Sequence, residues 1–453
     1  MPKKKTALTI EERLQQALVP AEEQPYEVPE NWVWVRLGAV CYASKEKSND
    51  FSNEIKYIGL EHLEKDKGIV GFSSADKVKS TKNAFQEGQI LYGRLRPYLN
   101  KHDIASFSGV CSTDILVFEA SVLVANVLVD KFFNLPFFIE YVVANSKGIN
   151  LPRVSEKTIL NTTFPLPPLS EQQRIVERIE ELFAKLDEAK ERLQEVAESF
   201  AVRKAALLHK AFTGELTKQW RLENGVSDES WEEITWGSFI EKIEAGKNWN
   251  ALGRPPKNGE FGVVKVSAVT WGEFLEDESK TCTEESQWNE EKRISVGDFL
   301  FSRANTIQLV GNCVIVKDVK RKLMLSDKIL RFSFSERVYD FFALWYTRTS
   351  SYRKQIESVA SGNQDGMRNI SQNNMKTIIF PLPTLTEQHE IVRLIDDLLA
   401  RERAAQQATE QALASIDLMK KSILARAFRG ELGTNKASEA SALELLKQVL
   451  AEN

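Results

Sequence analysis

The chain contains a long internal repeat. Residues 165–216 read PLPPLSEQQRIVERIEELFAKLDEAKERLQEVAESFAVRKAALLHKAFTGEL, and residues 381–432 read PLPTLTEQHEIVRLIDDLLARERAAQQATEQALASIDLMKKSILARAFRGEL. They align without a gap, with 20 of 52 positions identical. A duplication of this length makes one polypeptide an approximately two-fold object. Such an object suits a target that itself comes in two halves.

Each copy reads as a proline-rich lead-in followed by a long helix. Pro165, Pro167 and Pro168 keep the lead-in extended. Ser170 is the expected N-cap, with Gln173 completing a capping box, and Thr386 with His389 makes a weaker version in the second copy. Gly214 and Gly430 are expected to end the helices. Between these signals apolar residues follow a seven-residue rhythm: Ile175, Ile179, Leu182, Leu186, Ala189, Leu193, Val196, Phe200 and Leu207 in copy one. Copy two gives Ile391, Ile395, Leu398, Ala405, Ala412, Ile416, Met419 and Ile423. Arg203, Glu402 and Thr409 interrupt the seam. Alternating spacings of four and three predict two helices that zip together. A helix of about 43 residues, roughly 65 Å at 1.5 Å per residue, is too long for the core of a small domain.

The segments between the helices are mixed, with β-rich stretches at Gln89–Tyr92, Asp114–Phe118, Phe261–Val266 and Asn312–Val316. They too are distant copies. Trp32 with Gly38 matches Trp231 with Gly237, and Gly88–Arg94 matches Gly297–Arg303. Ser112–Leu116 resembles Ser326–Leu330, and Val154-Ser155 matches Ile370-Ser371. The predicted order is an N-terminal helical segment (1–25), a globular domain (26–164), a long helix and linker (165–230), a second globular domain (231–380), a second long helix (381–432) and a tail (433–453). The expected fold class is α+β. Two mixed α/β domains are separated by two long helices forming an antiparallel coiled coil, with a pseudo-two-fold within one chain.

Hydrophobic content of 42% with 27% charge is ordinary for a globular protein. A net charge of −4 argues against coating DNA through bulk positive charge. It leaves room for local basic patches, or for partners that supply charge. The start MPKKK is followed by no apolar run, so no secretory signal is expected, and no apolar run is long enough for a membrane span. A cytoplasmic location follows as an expectation. Cys41, Cys111, Cys282 and Cys313 are far apart with no CxxC pair, which predicts buried free thiols. The sequence has no GxxxxGK[ST] loop, no NPPY-like tetrapeptide, no GxSxG elbow and no HExxH helix. Catalysis is therefore not expected in this chain, and neither is a bound metal or cofactor.

The paired PLPPLSEQQRIV and PLPTLTEQHEIV segments, the AFTGEL and AFRGEL exits and the PENWVWVRLG opening at Pro29–Gly38 resemble the DNA specificity subunits of type I restriction-modification systems. The resemblance runs from about Leu8 to Leu432. It implies that each globular segment is a target recognition domain reading one half of a bipartite, asymmetric site in double-stranded DNA. It implies that the long helices set the gap between the halves and dock two modification (methyltransferase) subunits. Those would carry S-adenosylmethionine, and restriction subunits using ATP and magnesium would join them. The tail after residue 432 has no counterpart after the first copy.

Reading DNA needs donors that reach base edges and positive groups for phosphates. The candidates after the shared strand motif are Arg94, Arg96 and Lys101 in the first domain and Arg303, Asn305 and Gln308 in the second. Arg94 and Arg303 match between domains, so they are expected to hold the fold or a phosphate. Arg96, Asn305 and Gln308 differ, as base discrimination requires. A second set lies before each proline box: Lys147 through Arg153, and Ser361 through Arg368 with Asn363, Gln364 and Arg368 as donors. A third is Lys247 and Asn248 beside Trp249 and Asn250, where Trp249 suits either a core or a stacking role. Two other readings compete: a self-contained methyltransferase or nuclease, and a coiled-coil scaffold with no DNA role.

Overall fold

The computed structural model describes residues 9–49, 52–77, 80–364 and 367–452. The basic opening MPKKK lies outside the described residues, as do the side chains of Asn363 and Gln364. The chain divides into two compact units, Met1–Leu193 with Gln411–Asn453, and Gln194–Glu410.

In the first unit the strand Val33–Arg36 pairs antiparallel with Thr163–Leu166. First and last strands of the globular domain thus lie side by side, and the chain passes straight into the helix Leu169–Phe212. A four-stranded sheet runs in the order His102–Ile104, Ile90–Gly93, Ile115–Ala120, Cys41–Ala43. A five-stranded sheet runs Lys47–Ser48, Lys82–Phe85, Gly109–Cys111, Lys56–Ile58, Ser73–Ser74. Ile115–Ala120 is apolar nearly throughout because both its faces are covered. Leu116 and Phe118 point toward Phe132, Phe133 and Phe138, whereas Ile115 and Val117 join Ile58, Leu63 and Phe85. The period-two alternation of a strand makes that division.

The second unit repeats the plan. Glu232–Thr235 pairs with Ile379–Leu382 ahead of the helix Leu385–Ala427. One sheet runs Ile240–Ala245, Ile329–Phe334, Phe299–Ser302, Cys313–Ile315, and another runs Ala251–Leu252, Ser279–Cys282, Phe261–Val264, Lys322–Met324. Each domain has a parallel pair at the matching place: Lys56–Ile58 with Gly109–Cys111, and Phe261–Val264 with Lys322–Met324. The strand expected over Phe261–Val266 stops at Val264, and Val266–Val269 forms a 3-10 turn.

The long helices, 44 and 43 residues, each finish globular cores at both ends. Ile175 and Ile179 near the start of one, and Leu424 and Ala427 at the end of the other, join the first domain's core. Ile391, Val392, Ile395 and Leu399 with Leu208 and Ala211 do the same in the second. The helices run antiparallel in each unit. Lys420 bonds Asp187 and Lys190 bonds Asp417 in the first, and Arg203 meets Glu402 at 2.7 Å in the second. Two of the residues that broke the heptad rhythm are therefore partners of each other, and Arg203 also lies over the Phe200 ring.

Three local expectations are corrected. The seam of the second helix passes through Leu399 and Thr409, while Leu398 and Met419 are exposed. Ile391, Ile395 and Leu399 are spaced by four because this end of the helix packs on a globular core as a straight helix does, before any supercoil. Ser170 does not cap. The Pro168 carbonyl accepts from the Glu171 and Gln172 amides, so the helix starts at Leu169, and Gln173 donates forward to Glu177. Thr386 likewise lies inside its helix, and the Thr384 hydroxyl accepts from the Glu387 amide. The stop signals act as expected: Gly214 and Gly430 have φ of +79° and +73°, where a side chain is disfavoured.

The tail folds back on the first domain. Its helix Ala442–Glu452 lies against the helix Ile10–Ala17, where Arg13 donates to the Leu450 carbonyl. Leu446 and Val449 are fully buried in the first domain's core. The four cysteines are buried and free. Among the described residues no helix is long and apolar enough to cross a membrane.

Leu446→Ala should destabilise the chain by about 2–5 kcal/mol, the usual cost of a core cavity, read as a lower urea midpoint. A pH effect should come from Glu244, which is 9% exposed. Burial pushes its carboxyl up, but hydrogen bonds from Arg331, Lys242 and Lys292 outweigh burial and hold it at about 2. Its contribution is present above the unfolded carboxylate range and is lost as pH falls through about 2. Stability of the second unit should drop between pH 4.5 and 2, and Glu244→Gln should flatten that drop in acid titrations followed by circular dichroism.

Candidate nucleic-acid interface

The motifs that stand out in the sequence converge on a buried carboxylate in each unit. Glu171 of the first proline box is fully buried. It accepts from the Trp32 indole (2.7 Å), the Thr434 hydroxyl (3.0 Å) and the Asn435 amide (2.7 Å). Glu387, its counterpart, accepts from the Trp231 indole (3.1 Å), the Thr217 hydroxyl (2.6 Å) and the Arg221 guanidinium (2.6 Å). One carboxylate thus ties the domain's opening strand, the start of one helix and the exit of the other. The following glutamines staple the box to the domain. Gln172 accepts from the Ala125 amide, and Gln388 accepts from the Tyr339 amide and donates to the Arg337 carbonyl. The fold uses these side chains as internal ties; all three donors to Glu387 fall on its Oε1, and its buried Oε2 has no hydrogen-bond partner among the described residues.

The candidate DNA-facing residues lie elsewhere, at a small ribbon in each domain. In the first, Leu95 bridges to Arg153 and Arg153 to Lys147. Arg96 takes a left-handed backbone (φ +53°), donates its amide to the Pro152 carbonyl and exposes its side chain. Arg153 is held by Asp114 at 3.0 and 3.3 Å. Arg94 is half-buried, and its Nε has no hydrogen-bond partner among the described residues. The Lys101 ammonium donates to the Leu60 carbonyl at 3.0 Å. The ribbon's tip exposes Ile149 almost completely.

In the second domain the ribbon is a three-stranded sheet in the order Ala304–Asn305, Met367–Asn369, Ser361–Gln364, with Asn305 opposite Arg368. Arg303 leads into it, and its carbonyl accepts from the Ile370 amide. The Arg368 guanidinium donates to the Gly362 carbonyl at 2.5 Å. Asn305 donates to the Thr270 hydroxyl, and Gln308 is exposed while its carbonyl accepts from Arg353. Lys247 and Asn248 are exposed and close by in the fold: the Gly246 amide donates to the Ser326 carbonyl, and two residues on, the Lys328 carbonyl accepts from the Arg303 amide. Gly246 is required there, since a β-carbon would sit 1.7 Å from the Leu325 carbonyl oxygen. Trp249 is half-buried against the cluster of Val263, Cys282 and Met324, with Lys247 5.8 Å above its ring.

The sequence reading missed two things. The first was the junction role of the box glutamates, since 139 residues separate Trp32 from Glu171 and 156 separate Trp231 from Glu387, and no shared spacing joins them. The second was the loop after the 3-10 turn Val266–Val269, which no recognisable motif marks. Among the described residues no cluster of His, Cys, Asp and Glu could hold a metal ion.

The sequence profile of the type I restriction modification DNA specificity domain matches this chain twice, at residues 29–198 and 228–413. The chain belongs to that family, as a specificity subunit whose two domains and two long helices recur in solved relatives. It is 28% identical over 323 residues to the type I restriction enzyme EcoKI specificity subunit of Escherichia coli K12, covering 68% of this chain and 67% of that one. It is 35% identical over 231 residues to the EcoDI specificity subunit of Escherichia coli, about half of each chain (48% and 49%). The crystal structure of the HsdS subunit from Thermoanaerobacter tengcongensis superposes with a TM-score of 0.66 at 21% identity, over 90% of this chain and 99% of that one.

Glu387→Ala should cost about 1–3 kcal/mol in chemical denaturation, because the Trp231 indole and the Thr217 hydroxyl lose their acceptor while the Arg221 guanidinium keeps Asp228 at 2.8 Å. Arg96→Ala, on an exposed side chain, should leave the denaturation midpoint within about 0.5 kcal/mol of the parent.

Proposed function

We propose that this chain reads a bipartite, asymmetric site in double-stranded DNA, one half with each globular domain, and directs partner subunits to it. The observation that carries this reading is the pair of ribbons. They occupy matching places in two copies of one fold, yet Arg96 stands at the edge of one where Asn305 stands in the other. Arginine can fork onto guanine and asparagine onto adenine, so the two edges suit different half-sites. Arg94 and Arg303 occupy the same place in both ribbons and fit a shared phosphate or a folding role. Arg153, Lys101, Gln308, Asn363, Gln364, Arg368, Lys247 and Asn248 complete the proposed contact set.

The junctions and helices fit the other half of the role. Both copies keep the tryptophan-glutamate contact, the following glutamine and the glycine stop while the reading edges differ, as a frame that docks two identical modification subunits would require. The chemistry is then borne by partners: methyl transfer by modification subunits that bind S-adenosylmethionine, and cleavage by restriction subunits that use ATP and magnesium. This chain supplies position and specificity.

Long-read methylation mapping of cells that co-express this chain with its modification subunit tests the reading. The expected result is methyl-adenine at one split motif, two short halves around a fixed gap, present only with this chain. Replacing residues 26–164 with the matching domain of a relative should change one half and keep the other. A change in both halves would disprove the two-reader scheme. Inserting four residues at matched points of both long helices lengthens each by about 6 Å. The gap should grow by one or two base pairs with both half-site sequences kept.

A further inference from the structure

We infer that Trp271 is a specificity-determining contact of the second domain, pressed against base edges of its half-site. This rests on the two-reader function proposed above and adds a residue that none of the motifs marked. Trp271 is 67% exposed. An open indole has a large apolar area to gain by burial against a partner, together with an N–H that can donate.

The backbone that presents it is unusually well fixed for a surface loop. On one side, Thr270 is buried; its hydroxyl accepts from Asn305 (3.2 Å) and its carbonyl from Asn312 (2.8 Å). On the other, the Gly272 carbonyl accepts from the Arg348 guanidinium at 3.2 Å, and Gly272 takes φ +96°, a conformation that suits glycine. Three side chains from three places in the fold thus hold the residues flanking Trp271, while its own ring is held out in solvent. With the flanking backbone held, only the two indole torsions remain to be ordered on contact, which favours a recognition role.

The occupant follows from the neighbours. Asn305 belongs to the ribbon with Arg303 and Arg368, so the same amide that positions the Trp271 loop sits at the proposed reading edge. The loop itself, Trp271-Gly272-Glu273, has no cation, and Glu273 is exposed. The Arg348 guanidinium is turned to the Gly272 and Cys313 carbonyls, so the loop's own side chains offer a phosphate no cation. The loop suits the groove floor, where an aromatic face meets thymine methyls or base edges and a carboxylate accepts from a cytosine amine. Arg303, which leads into the same ribbon, supplies a basic group beside this edge. In the first domain the matching turn, Leu60–His62, is tied at its first residue by Lys101, and it carries no tryptophan. The two domains therefore differ here, as readers of different half-sites must.

The test uses the complex of this chain with its modification subunits and a duplex carrying the mapped site. Trp271→Ala should weaken DNA binding about tenfold, the scale of one aromatic contact to a base. It should erase discrimination against base changes in one half-site and leave the other half unaffected. Trp271→Phe should restore most of the binding, and the melting temperature of both variants should match the parent. As a second measurement, p-benzoylphenylalanine at position 271 should photo-crosslink to DNA within that same half-site. Wild-type affinity and an unchanged motif with Trp271→Ala would overturn the inference and leave the two-reader function standing. So would loss of the modification subunits in place of loss of DNA, or crosslinking to those subunits. A wild-type complex that marks no split motif would overturn both.

Discussion

A buried carboxylate in each unit is the interaction on which the rest of this structure depends. Glu171 and Glu387 lose all contact with water, so each must have its charge met by donors brought from distant parts of the chain. Those donors are the indole at the head of a globular domain and polar side chains just past the exit of the opposite helix. Because each carboxylate needs all of them, domain, helix start and helix end assemble together in each unit. The two solutions differ: Glu387 is neutralised by Arg221, whereas Glu171 is met by neutral donors from the tail. The tail that has no counterpart after the first copy therefore completes the first junction.

The long helices have two jobs along their length. Near each end they behave as core helices, with apolar residues four apart sunk among aromatic side chains. Between, they carry the heptad seam, whose polar positions meet partners such as Arg203 with Glu402. Such a pair adds little stability at a partly exposed site. Its physical effect is on register, since a slip of the helices would leave a charge facing an apolar neighbour. The frame is thereby kept in one alignment, while the loops and ribbons at the proposed DNA edge are free to differ between copies.

Much of this was legible beforehand, and for identifiable reasons. The helices announce themselves because a 3.5-residue rhythm over dozens of positions has few other causes, and Gly214 and Gly430 are recognisable stops because only glycine takes that backbone freely. The family was legible because the junction demands particular side chains at particular spacings. The helices start one residue before Ser170 and Thr386, so the caps fall two residues earlier, at Pro168 and at Thr384, whose hydroxyl accepts from the Glu387 amide. The seam was misplaced at Leu398 because the periodicity does not say whether a helix faces a partner helix or a globular core. The candidate DNA contacts were harder still. Arg153 and Asn305 have their polar atoms partly engaged by Asp114 and Thr270, and nothing in their local sequence reveals that.

The sequence by itself determined the duplication, the order of globular and helical segments, the helix stops and the family, because each rests on local pattern or on a motif short enough to read in line. Only the tertiary structure decided that the Glu-Gln pairs are internal staples, that the tail belongs to the first domain's core, and that Trp271 stands open on a tied loop beside Asn305. Those facts depend on which distant residues meet. Burial and hydrogen-bond partnership are set by contacts between residues far apart in the chain, and no local pattern encodes them.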